Sequence, residues 1–376
     1  MEDSHLKYVD EFRDSAAAQL LVQEIRRRAT RRWTLMEVCG GQTHSLLRNG
    51  ISTELTDTIE LIHGPGCPVC VTPIEAIDFA QRLALADGVT ITSFGDMLRV
   101  PGSRRSLLDV QAHGGSVRTV YSPLDAVELA RKNPHQQIVF FAVGFETTAP
   151  ATALAVQQAA VAGLENFSLL VSHVCVQPAM ESLVESPDNR VQAFLAAGHV
   201  CTIVGYASYE SFVAKYKLPV VVTGFEPIDL LEGILACVKQ LESGRSEVEN
   251  QYARSVRRDG NQVARRILNE VYEACDRSWR GFGTISRGGL RLRAKFATFD
   301  AIKKFAHLIV PIELADRQAL GNCLSAKVLA GQIKPTECPA FGKACRPESP
   351  LGAPMVSSEG ACAAYYTYRK SPNQSE

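Results

Sequence analysis

The sequence predicts an α/β protein with parallel sheets, and three observations carry this. Short apolar segments recur along residues 33–223, and each stops at a turn and leads into a helical stretch. Strands that alternate with helices build parallel sheets, not hairpins. Gly144-Phe145-Glu146 and Gly224-Phe225-Glu226 each follow a Val-rich strand and precede a helix. Three matched residues also arise by chance, but a length of 376 residues independently suits two α/β units. After Trp279 the chain turns rich in Gly and Arg and then carries four cysteines, which marks a further domain short of apolar bulk and built around a metal.

Taken in order, Tyr8 to Arg31 has apolar residues at helical spacing and a basic run, Arg26-Arg27-Arg28, so an amphipathic helix is expected there. The strands that follow are Thr34–Val38, ending at Cys39-Gly40-Gly41, Ile59–His63, ending at Gly64-Pro65-Gly66, and Val89–Ser93, ending at Phe94-Gly95-Asp96. Ile138–Val143 ends at Gly144-Phe145-Glu146-Thr147-Thr148, and Phe167–Val171 ends at Ser172-His173-Val174-Cys175. Val200–Val204 ends at Gly205-Tyr206, and Val220–Val222 ends at Thr223-Gly224-Phe225-Glu226-Pro227. Residues 241–269 are charged and read as helical. The expected organisation is an N-terminal helix over 1–32 packed on the third domain, α/β domains over 33–135 and 136–240 facing a cleft, and a third domain over 241–376. Parallel sheets bind ligands beyond the carboxyl ends of their strands, and nearly all the unusual residues of this chain sit there.

Composition narrows the function classes. Forty basic and forty acidic residues cancel, so no net field favours nucleic acid or an anionic membrane. Residues Met1 to His5 are polar, with no signal-like apolar run behind them, and no stretch approaches the roughly twenty apolar residues of a membrane span. A cytoplasmic location is expected. Eleven cysteines, an odd number, then argue for thiolate chemistry over a disulfide framework.

Cys323, Cys338, Cys345 and Cys362 are separated by fourteen, six and sixteen residues in a stretch rich in Gly and Pro. This is neither a compact ferredoxin run nor a zinc ribbon. Wide spacing suits an iron–sulfur cluster held between loops, and leaves a zinc ion or unligated thiols open. Cys67-Pro68-Val69-Cys70 reads as a redox dithiol, with half of a zinc site as the plainer reading. Thr72 would cap the next helix and Pro73 would open it. Cys39 stands at a strand-to-helix turn, where Gly40 and Gly41 let a ligand approach the backbone. With His44 five residues on, it suits a soft or borderline metal such as iron, a nucleophile with its base, or a buried structural thiol. Asp96, Glu146 and Glu226 end strands on the same edge, where each could tune a thiolate or simply cap a helix. Arg99, Thr147, Thr148, His63 and His173 are placed similarly, and Gln177 could donate to a small anion. Cys175, Cys201, Cys237 and Cys275 read as small buried hydrophobes. No Walker loop, dinucleotide fingerprint or His-Glu-x-x-His is present.

The chain resembles the HypD family of hydrogenase maturation proteins in Cys39-Gly40-Gly41-Gln42-Thr43-His44, Gly64-Pro65-Gly66-Cys67-Pro68-Val69-Cys70 and the stretch Thr92 to Ser103. Gly144-Phe145-Glu146-Thr147-Thr148-Ala149-Pro150, Ser172-His173-Val174-Cys175, Gly224-Phe225-Glu226-Pro227 and the four C-terminal cysteines extend the resemblance over nearly the full chain. It implies two α/β domains and a third that holds a [4Fe-4S] cluster on Cys323, Cys338, Cys345 and Cys362. It also implies a scaffold that works with a small HypC-type chaperone to assemble the Fe(CN)2CO group of [NiFe]-hydrogenase. A HypE-type protein supplies cyanide, and the finished group passes to the hydrogenase large subunit. By the same resemblance Cys39 is the iron ligand and Cys67 with Cys70 a redox dithiol near the cluster, while His44, Asp96, Glu146 and Glu359 are further site residues. Such a protein is a redox-active scaffold more than a conventional turnover enzyme. The dithiol-plus-cluster arrangement is similar to that of ferredoxin–thioredoxin reductase, so an iron–sulfur thiol–disulfide oxidoreductase is the alternative. A zinc-stapled adaptor without chemistry is the third.

Overall fold

The computed structural model describes residues 10–310 and 323–368. Two parallel sheets form its centre, as expected of the α/β class. The first contains β1 (Trp33–Glu37), β2 (Ile59–His63), β7 (Ala193–Ala197), β8 (Val220–Thr223) and β9 (Val248–Asn250), in the spatial order β2-β1-β7-β8-β9. The second contains β3 (Val89–Ser93), β4 (Val117–Thr119), β5 (Gln137–Gly144) and β6 (Phe167–His173), in the order β4-β3-β5-β6. In β5, Ile138, Val139, Phe140, Phe141 and Ala142 are all buried. That unbroken apolar run is what a strand covered by helices on both faces requires.

The chain is divided differently from the contiguous domains expected. β1 and β2 pair with β7, β8 and β9, and everything from helix Ile74–Leu85 to helix Val176–Val184 is inserted between β2 and β7 to build the second sheet. Neither 33–135 nor 136–240 is therefore one unit. The contiguous boundaries assumed that consecutive strands are spatial neighbours, which is usual but not obligatory.

The N-terminal helix runs over Ser15–Arg28, and Asp14 fixes its start by accepting from the backbone N–H groups of Ala16 and Ala17. Three arginines in its last turn complement the helix dipole. The first two residues of the expected helix, Tyr8 and Val9, lie outside the described residues, as does the polar start Met1 to His5. The helix packs on helix Pro227–Glu242, placing Val22 and Ile25 in one core with Leu230, Leu231 and Ile234. It thus belongs to the first sheet unit and not to a C-terminal domain. Val200–Val204 is not a strand but the end of helix Gly198–Val204, and the strand is the preceding Ala-Phe-Leu-Ala-Ala segment. A short apolar run carries no period that separates the two states.

Residues 241–376 likewise divide. Helix Pro227–Glu242 ends there, β9 closes the first sheet, and helix Gln262–Val271 packs on helix Ala149–Val161 of the second unit. An antiparallel hairpin, β10 (Tyr272–Trp279) and β11 (Gly283–Leu292), lies along β6. Thr152 ties the pieces together: its hydroxyl bonds His173 Nε2 at 2.9 Å and the Tyr272 hydroxyl at 2.8 Å. The segment 323–368 carries only short helices, the last of which, Ala361–Tyr368, packs on helix Gly40–Arg48. Among the described residues no helix is long and apolar enough to cross a membrane.

Candidate functional site

Cys39 follows β1 and occupies the capping position of helix Gly40–Arg48. Three chain segments converge on it because glycines leave room. A Cβ on Gly66 would stand 2.3 Å from the Cys39 nitrogen, and one on Gly40 would stand 2.1 Å from the Glu359 carbonyl oxygen. Gly40 N–H donates to Gly66 O at 3.1 Å, which locks the Cys67–Cys70 loop against Cys39. Cys67 and Cys70 are both buried and joined as a disulfide. The next helix starts one residue later than expected: Pro73 takes the capping position, and the Thr72 hydroxyl donates back to Pro68 O at 2.9 Å.

Beneath Cys39 lies Glu37, a buried carboxylate at the end of β1. It accepts from Cys39 N–H at 2.8 Å, from His63 Nδ1–H at 2.7 Å and from the Thr43 hydroxyl. His63 Nε2 in turn meets the Tyr365 hydroxyl at 2.9 Å. The Cys39 thiol stands 3.7 Å from His199 Nδ1, and the His199 ring leans on Phe225 with centroids 5.3 Å apart. Burial pushes the Cys39 thiol up to about 12, against backbone donation from Gln42 and Gly41, and the charges of Glu37 and Glu359 add to the rise. Burial also holds His199 down at about 4, so its imidazole is neutral. Without a metal, this pair is a neutral thiol beside a neutral base.

The other expected residues are distributed unevenly. Glu359 is exposed at the rim of the site, yet its carboxyl is held above the ordinary value by the protein crowding it and by the charge of Asp96. Asp96 accepts from Ser358 N–H at 2.9 Å, from the Ser358 hydroxyl at 2.7 Å and from Arg99 at 2.9 Å. Burial alone would raise Asp96, but those donors keep it below the usual carboxylate value. Asp96 thus holds the loop that brings Glu359 to Cys39. His44 lies one turn along the helix, edge-on to Tyr368 at 5.5 Å, where it lines a cavity of about 320 Å3 with Arg13, Arg48 and Phe225. Its Nε2 is buried without a hydrogen-bond partner among the described residues, and burial lowers its pKa. Glu146 is placed elsewhere: it accepts from Val176 N–H at 3.0 Å and lies among Cys175, Cys201 and Tyr209, whose ionisation its charge opposes. Burial pushes it up to about 7.

Cys323, Cys338, Cys345 and Cys362 line one apolar cavity with Val328, Phe341, Leu351 and Met355. Burial first, then the charges of Cys323 and Cys338, push the Cys345 thiol above its ordinary value, and Cys362 is raised by burial and by the charges of the other three. Gly352 lets the chain pass Cys323, since a Cβ there would stand 2.3 Å from its Sγ. Among the described residues no three His, Cys, Asp or Glu side chains converge tightly enough to hold a single metal ion. Of the remaining cysteines, Cys175, Cys201 and Cys237 are buried as expected, whereas Cys275 is only partly covered.

Sequence reasoning missed His199 and the hub role of Glu37. His199 directly follows Gly198 after a strand, the same strand-end signal that marks the other site residues. An expected strand at 200–204 hides that signal, since the strand is Ala193–Ala197.

The HypD family model, described as "Hydrogenase formation hypA family", matches residues 16–369. The chain is 46% identical over 371 residues to the hydrogenase maturation factor HypD of Rhodobacter capsulatus, covering 96% of this chain and 98% of that protein. It is 46% identical over 374 residues to HypD of Azotobacter vinelandii, covering 96% and 97%. Against HypD of Escherichia coli the identity is 42% over 379 residues, covering 98% and 100%. A match of this length, at this identity, means that the chain belongs to the HypD family of hydrogenase maturation factors.

Proposed function

We propose that this chain holds the iron of the Fe(CN)2CO group while that group is built, with Cys39 as the iron ligand, in complex with a HypC-type chaperone. A HypE-type protein would donate the cyanide, and the hydrogenase large subunit would receive the product. The observation that carries this reading is the Cys39 thiol, 3.7 Å from a neutral His199 and in backbone contact with the Cys67–Cys70 loop. A thiolate and an imidazole are donors suited to iron. Iron enters as cargo, and loading it must displace the proton that burial keeps on Cys39. Glu37 is already engaged by three donors, so the proton would pass to Glu359, the other carboxyl whose charge reaches Cys39. Asp96 keeps Glu359 there through Ser358.

Cys323, Cys338, Cys345 and Cys362 would hold a [4Fe-4S] cluster. In favour of that fit, the four cysteines line one apolar cavity, and the raised Cys345 and Cys362 thiols would need a cationic core to stay deprotonated. Such a cluster supplies electrons singly when bound. The Cys67–Cys70 disulfide takes up two electrons and two protons on opening to the dithiol. Balanced charge and cysteine usage support a cytoplasmic location.

Iron analysis of protein purified anaerobically from cells expressing the maturation pathway tests this. Cys39→Ala should lose the iron bound in excess of the cluster while keeping the cluster's own iron. Equal iron in variant and wild type would contradict Cys39 as ligand. The Cys67–Cys70 disulfide itself also suits the thiol–disulfide oxidoreductase reading, in which Cys39→Ala leaves disulfide turnover intact.

A further inference from the structure

The turn between β10 and β11 inserts an arginine between the disulfide loop and the four-cysteine segment. Arg280 N–H donates to Val71 O, the residue after Cys70, at 2.8 Å. Its Nη1 donates to Pro101 O at 3.1 Å. The next residue, Gly281, lies so close to the helix Ser325–Leu329 that a Cβ on it would stand 2.7 Å from the Ala326 Cβ. That helix begins two residues after Cys323, and the Arg280 guanidinium feels the charge of Cys323 ahead of those of Asp78 and Glu75. Asp78 is already taken by the N–H and hydroxyl of Ser103. Among the described residues no carboxylate stands within ion-pair distance of Arg280, and one backbone carbonyl is its side chain's only hydrogen-bond partner.

A largely covered guanidinium without a counter-anion is costly, and proteins rarely keep one unless an anion arrives. Four thiolates around an iron–sulfur core carry net negative charge, and every electron added increases it. We propose that Arg280 is the counter-cation of the four-cysteine site, and that its charge favours the reduced state of the bound cluster. This rests on the cluster proposed above. Arg280 is a positioning residue: it acts through its field and touches no substrate.

The test is a redox titration of the anaerobically purified full chain, followed by electron paramagnetic resonance, on wild type, Arg280→Gln and Arg280→Lys. Arg280→Gln should disfavour one-electron reduction about tenfold, equal to a potential lower by about 59 mV. Arg280→Lys should restore most of it. Arg280→Met serves as the neutral variant if the Gln protein does not fold. Loss of the cluster from the folded neutral variants, with retention in Arg280→Lys, also supports the counter-cation. An unchanged potential in the neutral variants, or a Lys variant that behaves like them, overturns it. A wild type that binds no iron–sulfur cluster overturns instead the assignment of the four cysteines.

Discussion

Burial decides the behaviour of single residues here more than pairing does. Cys39 and His199 are both held neutral by lack of water, so on the proposed function it is the arriving iron that would ionise the thiol. Glu146 is the test case away from the metal chemistry. Only backbone N–H groups, its own and that of Val176, donate to its carboxyl, and its Oε2 is buried without a hydrogen-bond partner among the described residues. Its pKa is raised from 4.5 to about 7 in the fold, so between those values the native state keeps a proton that the unfolded chain has released. The stability it contributes is present below pH 4.5 and is lost as pH rises through 7. Urea unfolding at pH 5 and pH 7.5 should show wild type losing roughly 2 kcal/mol that Glu146→Gln does not lose. Parallel pH profiles would show that the carboxyl is solvated after all. The chemistry-bearing residues that stood out in the sequence are those beside Gly and Pro, because tight turns and close approaches demand those neighbours. Glu37 gave no such sign: its importance comes from His63, Thr43 and Tyr365, which only the folded chain assembles around it.

Among the elements, the strand-to-helix turn at Cys39 and the disulfide loop operate as one piece. Gly66 is the joint, since a side chain there would run into the Cys39 backbone. Gly66→Ala should destabilise the fold by about 1–3 kcal/mol, the usual range for overpacking, and should release iron at a denaturant concentration that leaves wild type loaded. Thermal unfolding and iron retention measured together check this, and an unperturbed variant would mean the two segments can part freely. Six of the seven strands expected were legible from their apolar runs and the turns that end them. The exception, residues 200–204, fell to helix because the neighbouring Ala-rich segment fills the slot between β1 and β8. The N-terminal helix was legible from its period, but its partner was not. Nothing in an amphipathic pattern says which surface it will cover.

At the scale of the molecule, the insertion of the second sheet between β2 and β7 sets the architecture of the site. The chain crosses between the two sheet units at the Cys67–Cys70 loop, directly beside Cys39. The C-terminal segment then returns, and Ser358 and Glu359 reach the same place from the stretch that carries the four cysteines. Cys39, the disulfide and the four-cysteine segment are thereby linked through short stretches of chain, with the Arg280 turn wedged between the last two. A contiguous domain division concealed this, because sequence proximity does not record a chain that leaves a sheet and comes back. The most direct test of the scaffold is the infrared spectrum of protein purified anaerobically from cells expressing the whole maturation pathway. The scaffold role predicts cyanide and carbonyl stretches that vanish in Cys39→Ala. Bands that persist without Cys39, or a brown wild-type protein with no such bands, would contradict it.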